Sequence, residues 1–572
     1  MKTTIRINMT QLTIKKEETD SYSFGIGGRA LTSAIVASEV PPAAEPLGPE
    51  NKVVIAPGSL SGSGAPCSGR LSVGSKSPLT GGIKESNSGG MAAIRLANTG
   101  LDAVVIEGQP AGNNIYILRL GQRQTTLEGA NECRGMGNYA MTEKLLKENQ
   151  NAAVISLGPS GENGLSAAGI AVSDMEGRPC RFAARGGLGA VLGSKGIKAI
   201  VIERGDRNSR LAVDVEGFKK YQKEFALELK QTKNVMTEYG TASLVELVNK
   251  IGGLPTNNYS QGQFDEAEKI NAYTLRNNID NRKGKPSHSC HPGCPIRCSN
   301  VYNDADGNYL TASLEYETIA MLGSNCGISD LDAVAAMDRL CDDYGLDTIE
   351  MGASIAIAME AGCLDFGDAD HAFELIRQTG EKSSILGRVI GHGAALTAKV
   401  LGVKRGPVVK GQSMAAYDPR VFKGTGITYV TSPMGADHTA GNLLPGKAGY
   451  SLDTKEGADI GKVEGQGLLS EEIQIITAVL DLTGTCLFAG TTEKNLDYLA
   501  KMLGALYGKD VGIFDLIKWA KKTIQIELKF NEAAGFNKAQ NRLPEFFRRE
   551  KLSPRGVVFD IPNSQIDRVF SD

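Results

Sequence analysis

Short runs of β-branched residues, separated by glycine, aspartate or asparagine, fill the first two hundred positions of the chain. Apolar and polar residues alternate over residues 4–7 and 11–14, as in a hairpin with one buried face. Runs of strand length follow at residues 53–56, 103–106, 114–118, 153–157 and 199–202. The pattern therefore predicts a β-rich domain over residues 1–207.

The apolar period lengthens after Ser209. It predicts helices over residues 215–233, 242–251, 314–322, 331–344 and 349–361, and further on over 470–482, 492–506 and 510–528. Residues 253–312 show no regular period, which predicts a long irregular stretch of the kind that is usually functional. A basic segment at residues 404–407 predicts a second boundary, so two mainly helical domains are expected over 208–405 and 406–572. The predicted fold class is α+β.

The composition excludes several classes of protein. The 572 residues carry a formal net charge of -3, so no strong field attracts nucleic acid or an anionic membrane. We expect no membrane span and no signal peptide, because no long apolar run is present and the first twenty residues are mixed in character. A cytoplasmic location follows, and the ten cysteines are expected to be free thiols or metal ligands rather than disulfides.

Three cysteines stand close together, Cys290, Cys294 and Cys298, and Cys486 is a candidate fourth. Three local thiolates and one distant thiolate are a common way to hold a [4Fe–4S] cluster. The C-x3-C-x3-C spacing leaves two alternatives open, a structural zinc ion completed by His291 or Cys486, and unrelated buried thiols. The other six cysteines are scattered and are expected to be small buried hydrophobic residues.

Two short segments share the pattern D-x-x-G-x-[DC], residues 342–347 and 481–486. Glycine where a helix ends is ordinary capping. A carboxylate in the last turn of a helix is unfavourable, because it faces the negative end of the helix dipole. The repetition indicates that Asp342 and Asp481 accept hydrogen bonds from a ligand, and the alternative is that both are solvated surface residues.

Glycine and cations cluster at residues 184–195 and again at 56–90. Backbone N–H groups and Arg185 could converge on phosphate in the first segment, although a glycine-rich turn explains it equally well. In the second, Arg70 could bind phosphate and Asn87 could offer a carbonyl oxygen to Mg²⁺, or the segment is a polar surface loop. Neither segment has the spacing of a P-loop or of a dinucleotide-binding fingerprint.

Candidate acid–base residues follow the cysteines. Glu315 and Glu317 open a predicted helix, and His438 lies in a glycine-rich loop. The alternatives are a favourable charge at the start of a helix for the glutamates and a structural role for the histidine.

Together these segments resemble the aldehyde:ferredoxin oxidoreductase family, the tungsten-bispterin enzymes. The resemblance covers nearly the whole chain, and its most specific motifs are residues 185–189 with 193–195, residues 76–81, residues 418–420 and the two D-x-x-G-x-[DC] segments. It implies that the N-terminal β-sheet domain forms a base for the cofactor and that two helical domains close over it. It also implies that two pterins, rather than a protein side chain, hold tungsten or molybdenum.

The resemblance assigns roles to individual residues. Arg70, Arg185 and the adjoining Gly186, Gly187 and Leu188 would meet the pterin phosphates, and Asn87 the Mg²⁺ that bridges them. The pterins would be bound by Asp342, Gly345, Leu346, Asp347, Asp481, Gly484 and Thr485. The cluster ligands would be Cys290, Cys294, Cys298 and Cys486. Glu317 and His438 match the acid–base pair near the metal, with Glu315 as the substitute for Glu317. The family often has C-x2-C-x3-C, and it usually has leucine where Thr485 stands.

The activity implied is oxidation of an aldehyde to a carboxylic acid, with electrons passing through the cluster to ferredoxin or a ferredoxin-like subunit. An alternative is a reductive member of the family that acts on an aromatic or other carbonyl substrate within a larger complex. A more remote alternative is a zinc-stapled binding protein without catalysis. A homodimer is also compatible with the family.

Overall fold

The computed structural model describes residues 2–19, 25–206, 210–445 and 461–571. Its first part forms two six-stranded mixed sheets. The strands are β1 (Lys2–Asn8), β2 (Thr13–Thr19), β3 (Val53–Pro57), β4 (Leu71–Lys76), β5 (Ile83–Ser88), β6 (Ala103–Glu107), β7 (Tyr116–Leu120), β8 (Thr125–Gly129), β9 (Ala153–Ser156), β10 (Ile170–Val172), β11 (Arg181–Ala183) and β12 (Ile197–Ile202). The helices are α1 (Gly28–Glu39), α2 (Ala92–Asn98), α3 (Asn138–Glu148), α4 (Pro159–Glu162) and α5 (Leu188–Ser194). The predicted boundary at residues 207 and 208 lies outside the described residues.

The two sheets share one apolar core. Their strand orders are β2-β1-β6-β3-β4-β5 and β11-β10-β9-β12-β7-β8, and each contains one parallel pair, β1 with β6 and β7 with β12. In β3, Val53 and Ile55 face the shared core, while Val54 and Ala56 pack with α1 on the outer face. Successive side chains of a strand point to opposite faces, so a sheet covered on both sides shows continuous apolar runs.

All seven runs predicted from the apolar pattern overlap strands, although the second strand begins only at Thr13. The helices α1 to α5 were missed. In α1 the buried residues include Leu31, Ile35 and Val36, a helical spacing that the sequence contains. The glycine-rich, strand-like surroundings outweighed that spacing in the prediction.

The middle of the chain is mainly helical. Its helices are α6 (Val215–Thr232), α7 (Asn234–Tyr239), α8 (Ser243–Ile251), α9 (Ala267–Ile270), α10 (Ala272–Asn281), α11 (Tyr316–Thr318), α12 (Leu331–Tyr344), α13 (Thr348–Glu360), α14 (Ala369–Glu381), α15 (Ile385–Gly391) and α16 (Ala394–Leu401). A three-stranded sheet contains β13 (Lys285–His288), β14 (Ser299–Asn303) and β15 (Tyr309–Ala312). The prediction of an irregular stretch over residues 253–312 was therefore wrong. Its strands are short and polar. The cysteine loop folds back between β13 and β14, and a short turn after Asn303 brings β15 alongside β14.

The helix predicted over residues 314–322 is also different in detail. After the single turn of α11, residues Ile319–Gly323 form a π-helix. Such wider turns are rare and often occur at functional sites. This one begins two residues after Glu317.

The last part of the chain completes an α+β fold, as predicted. It contains β16 (Val408–Val409), β17 (Gln412–Ser413), α17 (Lys423–Thr431), α18 (Gln466–Thr483), α19 (Glu493–Tyr507), α20 (Ile513–Ala533), α21 (Phe546–Arg549) and α22 (Asn563–Ile566). Within the described ranges, no helix combines the length and apolar character needed to cross a membrane. The division between residues 405 and 406 stays a prediction.

Candidate functional site

A cavity of about 470 Å³ is lined by residues from all three predicted domains. This size lies within the usual range of ligand sites, about 300–1,000 Å³. Most of the predicted site residues line it: Arg70, Asn87, Cys290, Cys298, Glu315, Glu317, Asp342, Leu346, His438, Asp481, Thr485 and Cys486. The chain therefore brings distant motifs to one place.

The first D-x-x-G motif ends helix α12 at the cavity. Gly345 has a φ of +76° and donates its N–H to the Cys341 carbonyl at 2.8 Å, a left-handed cap that glycine adopts without strain. Asp342 is buried and faces the cavity, where burial and the nearby Asp338 raise its pKa well above the ordinary value. Asp347 has a different role, because it caps helix α13 by accepting the Ile349 N–H at 2.9 Å.

The second motif ends helix α18 in the same way, with a φ of +75° at Gly484. Asp481 lines the cavity and is held by two donors. Nη1 of Arg29 lies 3.2 Å from its Oδ2, and Nδ2 of Asn87 lies 3.2 Å from its Oδ1. Arg29 also binds Glu527 through two nitrogens, at 3.0 and 2.8 Å. This cation offsets the unfavourable position of Asp481 at the negative end of the helix.

A loop of the N-terminal domain caps helix α18. Ser59, Leu60 and Arg70 donate their backbone N–H groups to the carbonyls of residues 482, 483 and 484, at 3.1, 3.0 and 3.0 Å. The last carbonyls of a helix lack partners within the helix, so these bonds satisfy them. A Cβ atom on Gly58 would clash with the backbone nitrogen of Gly484, which explains glycine at the junction. The second motif is thus fixed to the sheet domain.

The four predicted cluster cysteines lie together at the cavity. Cys290, Cys298 and Cys486 line it, and Cys294 lies beside them. Burial raises the pKa of the Cys290 thiol, and negative charge on Cys294 and Cys486 would raise it further. Burial disfavours the charge on Arg70, but the negative charges of Cys486, Cys290, Asp481 and Cys298 together outweigh it and raise the pKa of Arg70. Three thiols of the loop and one distant thiol therefore share one electrostatic environment.

The spacing of these sulfurs argues against one zinc ion. Four thiolates at about 2.3 Å from zinc lie roughly 3.8 Å from one another. Among the described residues, three or more potential ligand atoms lie within 4.8 Å of one another only at Asp174, Glu176 and His288. No three of the four predicted ligand sulfurs therefore lie within 4.8 Å of one another, as a zinc shell would require. A wider cage suits a cluster in which each thiolate binds a different iron.

Glu317 and His438 form a pair at the cavity wall. The His438 Nε2 atom lies 3.3 Å from Oε1 of Glu317, and Oε2 of Glu317 accepts the Ala416 N–H at 2.9 Å. Both Glu317 Oε1 and His438 Nδ1 are buried, and among the described residues neither has a hydrogen-bond partner; the contact of Oε1 with His438 Nε2 is an ion-pair distance only. Buried polar atoms are rarely left unsatisfied, so these two are positioned for a ligand.

Glu315 also lines the cavity, but its oxygens have partners. Ser313 donates to Oε1 at 2.9 Å, and the Thr241 hydroxyl donates to Oε2. The guanidinium of Arg181 lies 3.8 Å away. Glu315 is therefore tied to the protein, and Glu317 is the glutamate with an oxygen that accepts no hydrogen bond from the described residues.

Family models match the chain over almost its full length. The N-terminal domain of aldehyde ferredoxin oxidoreductase matches residues 4–204, and domains 2 and 3 of the same enzyme match residues 216–568. The chain belongs to the aldehyde ferredoxin oxidoreductase family. The predictions of this family and of an oxidoreductase are confirmed.

Relatives in this family differ in their named activities. A tungsten-containing aldehyde ferredoxin oxidoreductase of Thermococcus kodakarensis is 33% identical, over 96% of this chain and 92% of the relative. The WOR-like subunit of an aliphatic sulfonate oxidoreductase of Pyrococcus furiosus is 28% identical, over 79% of this chain and 76% of the relative. The active-site complex BamBC of benzoyl coenzyme A reductase, solved with a dienoyl-CoA, has the same fold, with a TM-score of 0.80 and 20% sequence identity. The match covers 95% of this chain and 90% of the chain in that structure.

The glycine-rich segment at residues 184–195 reaches the cavity wall at Ala184, but Arg185, Gly186, Gly187 and Leu188 do not line it. Arg185 donates from Nε to Asp347 at 3.2 Å, from Nη1 to the Ala436 carbonyl at 2.9 Å and from Nη2 to the Ser413 carbonyl at 2.6 Å. Gly186 and Gly187 have φ values of +84° and +73°, and Leu188 begins helix α5 in the core of the sheets. Binding of a phosphate by Arg185 would require one of these bonds to be exchanged, so that contact stays a prediction.

Sequence reasoning missed several residues of the site. Arg29, Arg181 and Tyr417 are isolated in the sequence and become neighbours of the site only in the fold. Asp338 could have been found, because it lies four residues before Asp342 on the same face of α12. Burial raises the pKa of Asp338, and its carboxylate accepts the Thr311 hydroxyl at 2.7 Å.

The buried carboxyl group of Glu85 should make the folding stability of the protein depend on pH. It is buried beside Asp481, Oε1 has no partner among the described residues, and burial raises its pKa, with the charge of Asp481 acting in the same direction. As the pH rises, the unfolded chain ionises at this position before the folded chain does, so stability is lost from about pH 4.5 upward. We expect Glu85→Gln, which resembles the protonated acid, to flatten this loss. Urea midpoints of both proteins between pH 5 and 8 test it, and parallel curves would contradict it.

Proposed function

We propose that this protein is a tungsten bispterin oxidoreductase that oxidises aldehydes to carboxylic acids. We further propose that a [4Fe–4S] cluster passes the electrons singly to ferredoxin or a ferredoxin-like subunit. The observation that carries the proposal is that both D-x-x-G motifs, the cysteines and the Glu317–His438 pair meet at one cavity. The tungsten-containing relatives in the same family support the choice of metal.

The donors and acceptors of the cavity suit such a cofactor. Asp342 and Asp481 are buried acceptors at two helix ends, as N–H groups of two pterin rings require. Arg70 and Asn87 would serve the phosphates and a bridging Mg²⁺. When bound, the metal supplies the two-electron chemistry that amino-acid side chains cannot perform.

The side chains contribute proton transfer and orientation. Oxidation of an aldehyde by water yields a carboxylic acid, two protons and two electrons. We propose that Glu317 takes a proton from the attacking water through its unpartnered Oε1 atom, and that His438 donates a hydrogen bond to the carbonyl oxygen of the substrate. The ring of Tyr417 lies 5.9 Å from that of His438, centroid to centroid, and restricts its orientation.

The fold excludes bulk water from Glu317 and His438. The side chains of Glu317 and His438 are both 15% exposed, and Tyr316, Tyr417 and Tyr429 are buried around them. Electrostatic interactions strengthen when water is excluded, so one hydrogen bond from His438 would have a larger effect here than at a surface.

Metal analysis and substrate profiling of the anaerobically purified protein test the proposal. We expect tungsten and about four irons per chain, and reduction of ferredoxin that depends on an aldehyde. Stoichiometric zinc without tungsten or iron would contradict it and favour the zinc-stapled alternative. Turnover of an aromatic thioester with a low-potential reductant, but not of aldehydes, would favour the reductive alternative.

A further inference from the structure

A fifth cysteine, Cys67, lies against the predicted cluster ligands. Its Sγ atom is 3.9 Å from Sγ of Cys294, and its side chain is fully buried. Sulfur is large, so this distance is within reach of a weak S–H···S hydrogen bond. The sequence placed Cys67 among the scattered thiols, because more than two hundred residues separate it from Cys294.

The backbone holds Cys67 between two of the predicted ligands. Its carbonyl oxygen accepts the N–H of Cys486 at 2.8 Å, and its own φ is +58°. This left-handed conformation is uncommon for residues other than glycine and persists only where surrounding contacts impose it. The turn is closed by Ser68, whose hydroxyl donates to the Ala65 carbonyl at 2.7 Å. The position of the thiol is therefore imposed by the loop.

We infer that Cys67 donates its S–H to the Cys294 sulfur and thereby raises the reduction potential of the [4Fe–4S] cluster. The inference depends on the cluster proposed above. A cluster ligand has lost its proton, so Cys294 can only accept, and the proton between the two sulfurs belongs to Cys67. The residue is thus a tuning residue and carries no iron.

The direction of the effect follows from charge. Reduction adds one electron to the cluster and its thiolates, and a hydrogen bond to sulfur stabilises the more negative form. Cys294 also accepts backbone N–H groups from Ile296 and Arg297. Those donors belong to the fold of the loop, whereas Cys67 is the donor that a side-chain substitution can remove.

Three variants separate tuning from packing. Cys67→Ala removes the donor, and Cys67→Ser keeps a donor on a slightly smaller side chain. Cys326→Ala removes a buried thiol whose hydrogen-bond partners are the Met321 and Gly352 carbonyls. The midpoint potential is measured by redox titration followed by electron paramagnetic resonance on the cofactor-loaded enzyme, together with the iron content.

We expect Cys67→Ala to keep its iron and to shift the midpoint to a more negative potential. The ratio of reduced to oxidised cluster at a fixed potential would fall about tenfold, which is about 59 mV for a one-electron couple. Cys67→Ser and Cys326→Ala should stay near wild type.

Two results would overturn the inference while leaving the proposed function in place. An unchanged potential in Cys67→Ala would show that the thiol is only packing. Loss of iron in Cys67→Ala, with retention in Cys294→Ala, would make Cys67 the ligand. Absence of any cluster from the wild-type protein would instead overturn the proposed electron route itself.

Discussion

A Cys290→Ser protein is expected to bind tungsten yet fail to deliver electrons to ferredoxin. Cys290 lines the cavity beside Cys298 and Cys486, and serine replaces a soft thiolate by a hydroxyl that binds iron poorly. Loss of a residue that merely supports a metal ligand typically lowers metal affinity or activity by about 10–100-fold. Loss of the ligand itself should therefore lower ferredoxin-coupled turnover by at least about 100-fold. One equivalent of aldehyde should still be oxidised per active site in a single turnover.

Cys180→Ser provides the matched control. Cys180 lines the same cavity, but its thiol is directed at Asp174, with 3.5 Å between Sγ and Oδ2. A serine hydroxyl can keep that bond, so turnover, tungsten and iron should stay near wild type. Iron content, tungsten content and stopped-flow reduction of ferredoxin distinguish the two variants. Normal ferredoxin reduction by Cys290→Ser would reject the proposed electron route.

The outcome for the cysteines shows which parts of a site a sequence can predict. Cys290, Cys294 and Cys298 are close in the chain, so their spacing alone predicts a common ligand. Cys486 was predicted as a distant fourth thiol, and in the structure it lies near them, while its role as a ligand stays a prediction. Cys67 is neither close to the other cysteines in the chain nor part of a motif. Its position depends on the left-handed backbone of its loop, which no local sequence pattern predicts.

The same distinction applies to the charges around the pterin motifs. The carboxylates of Asp342 and Asp481 stood out because each opposes a helix dipole. Their compensating cations did not stand out. Arg29 reaches Asp481 from a helix more than four hundred residues away, and the two bind across the junction of two predicted domains. Long-range pairs of this kind follow from the packing of α1 against α18 and α20, which no periodicity encodes.

Replacing Glu317 by glutamine is expected to lower kcat by about 10²–10⁴, the usual contribution of a general base. Glutamine has nearly the same shape and can still accept the Ala416 N–H, so folding and cofactor content should be retained. It cannot take a proton at the position of Oε1, the atom that is unpartnered and faces His438. KM for the aldehyde should change little, because the lost interaction belongs to the transition state.

Glu315→Gln is the control that makes this result specific. Both glutamates line the cavity and lie two residues apart, but the oxygens of Glu315 already accept the hydroxyls of Thr241 and Ser313. Its amide variant loses a charge near Arg181 and Cys298 and leaves the proposed base intact. Steady-state kinetics with equal tungsten loading should therefore place Glu315→Gln well above Glu317→Gln. A lower activity of Glu315→Gln than of Glu317→Gln would assign the base to Glu315. If both variants were as active as the wild-type enzyme, neither glutamate would be the base.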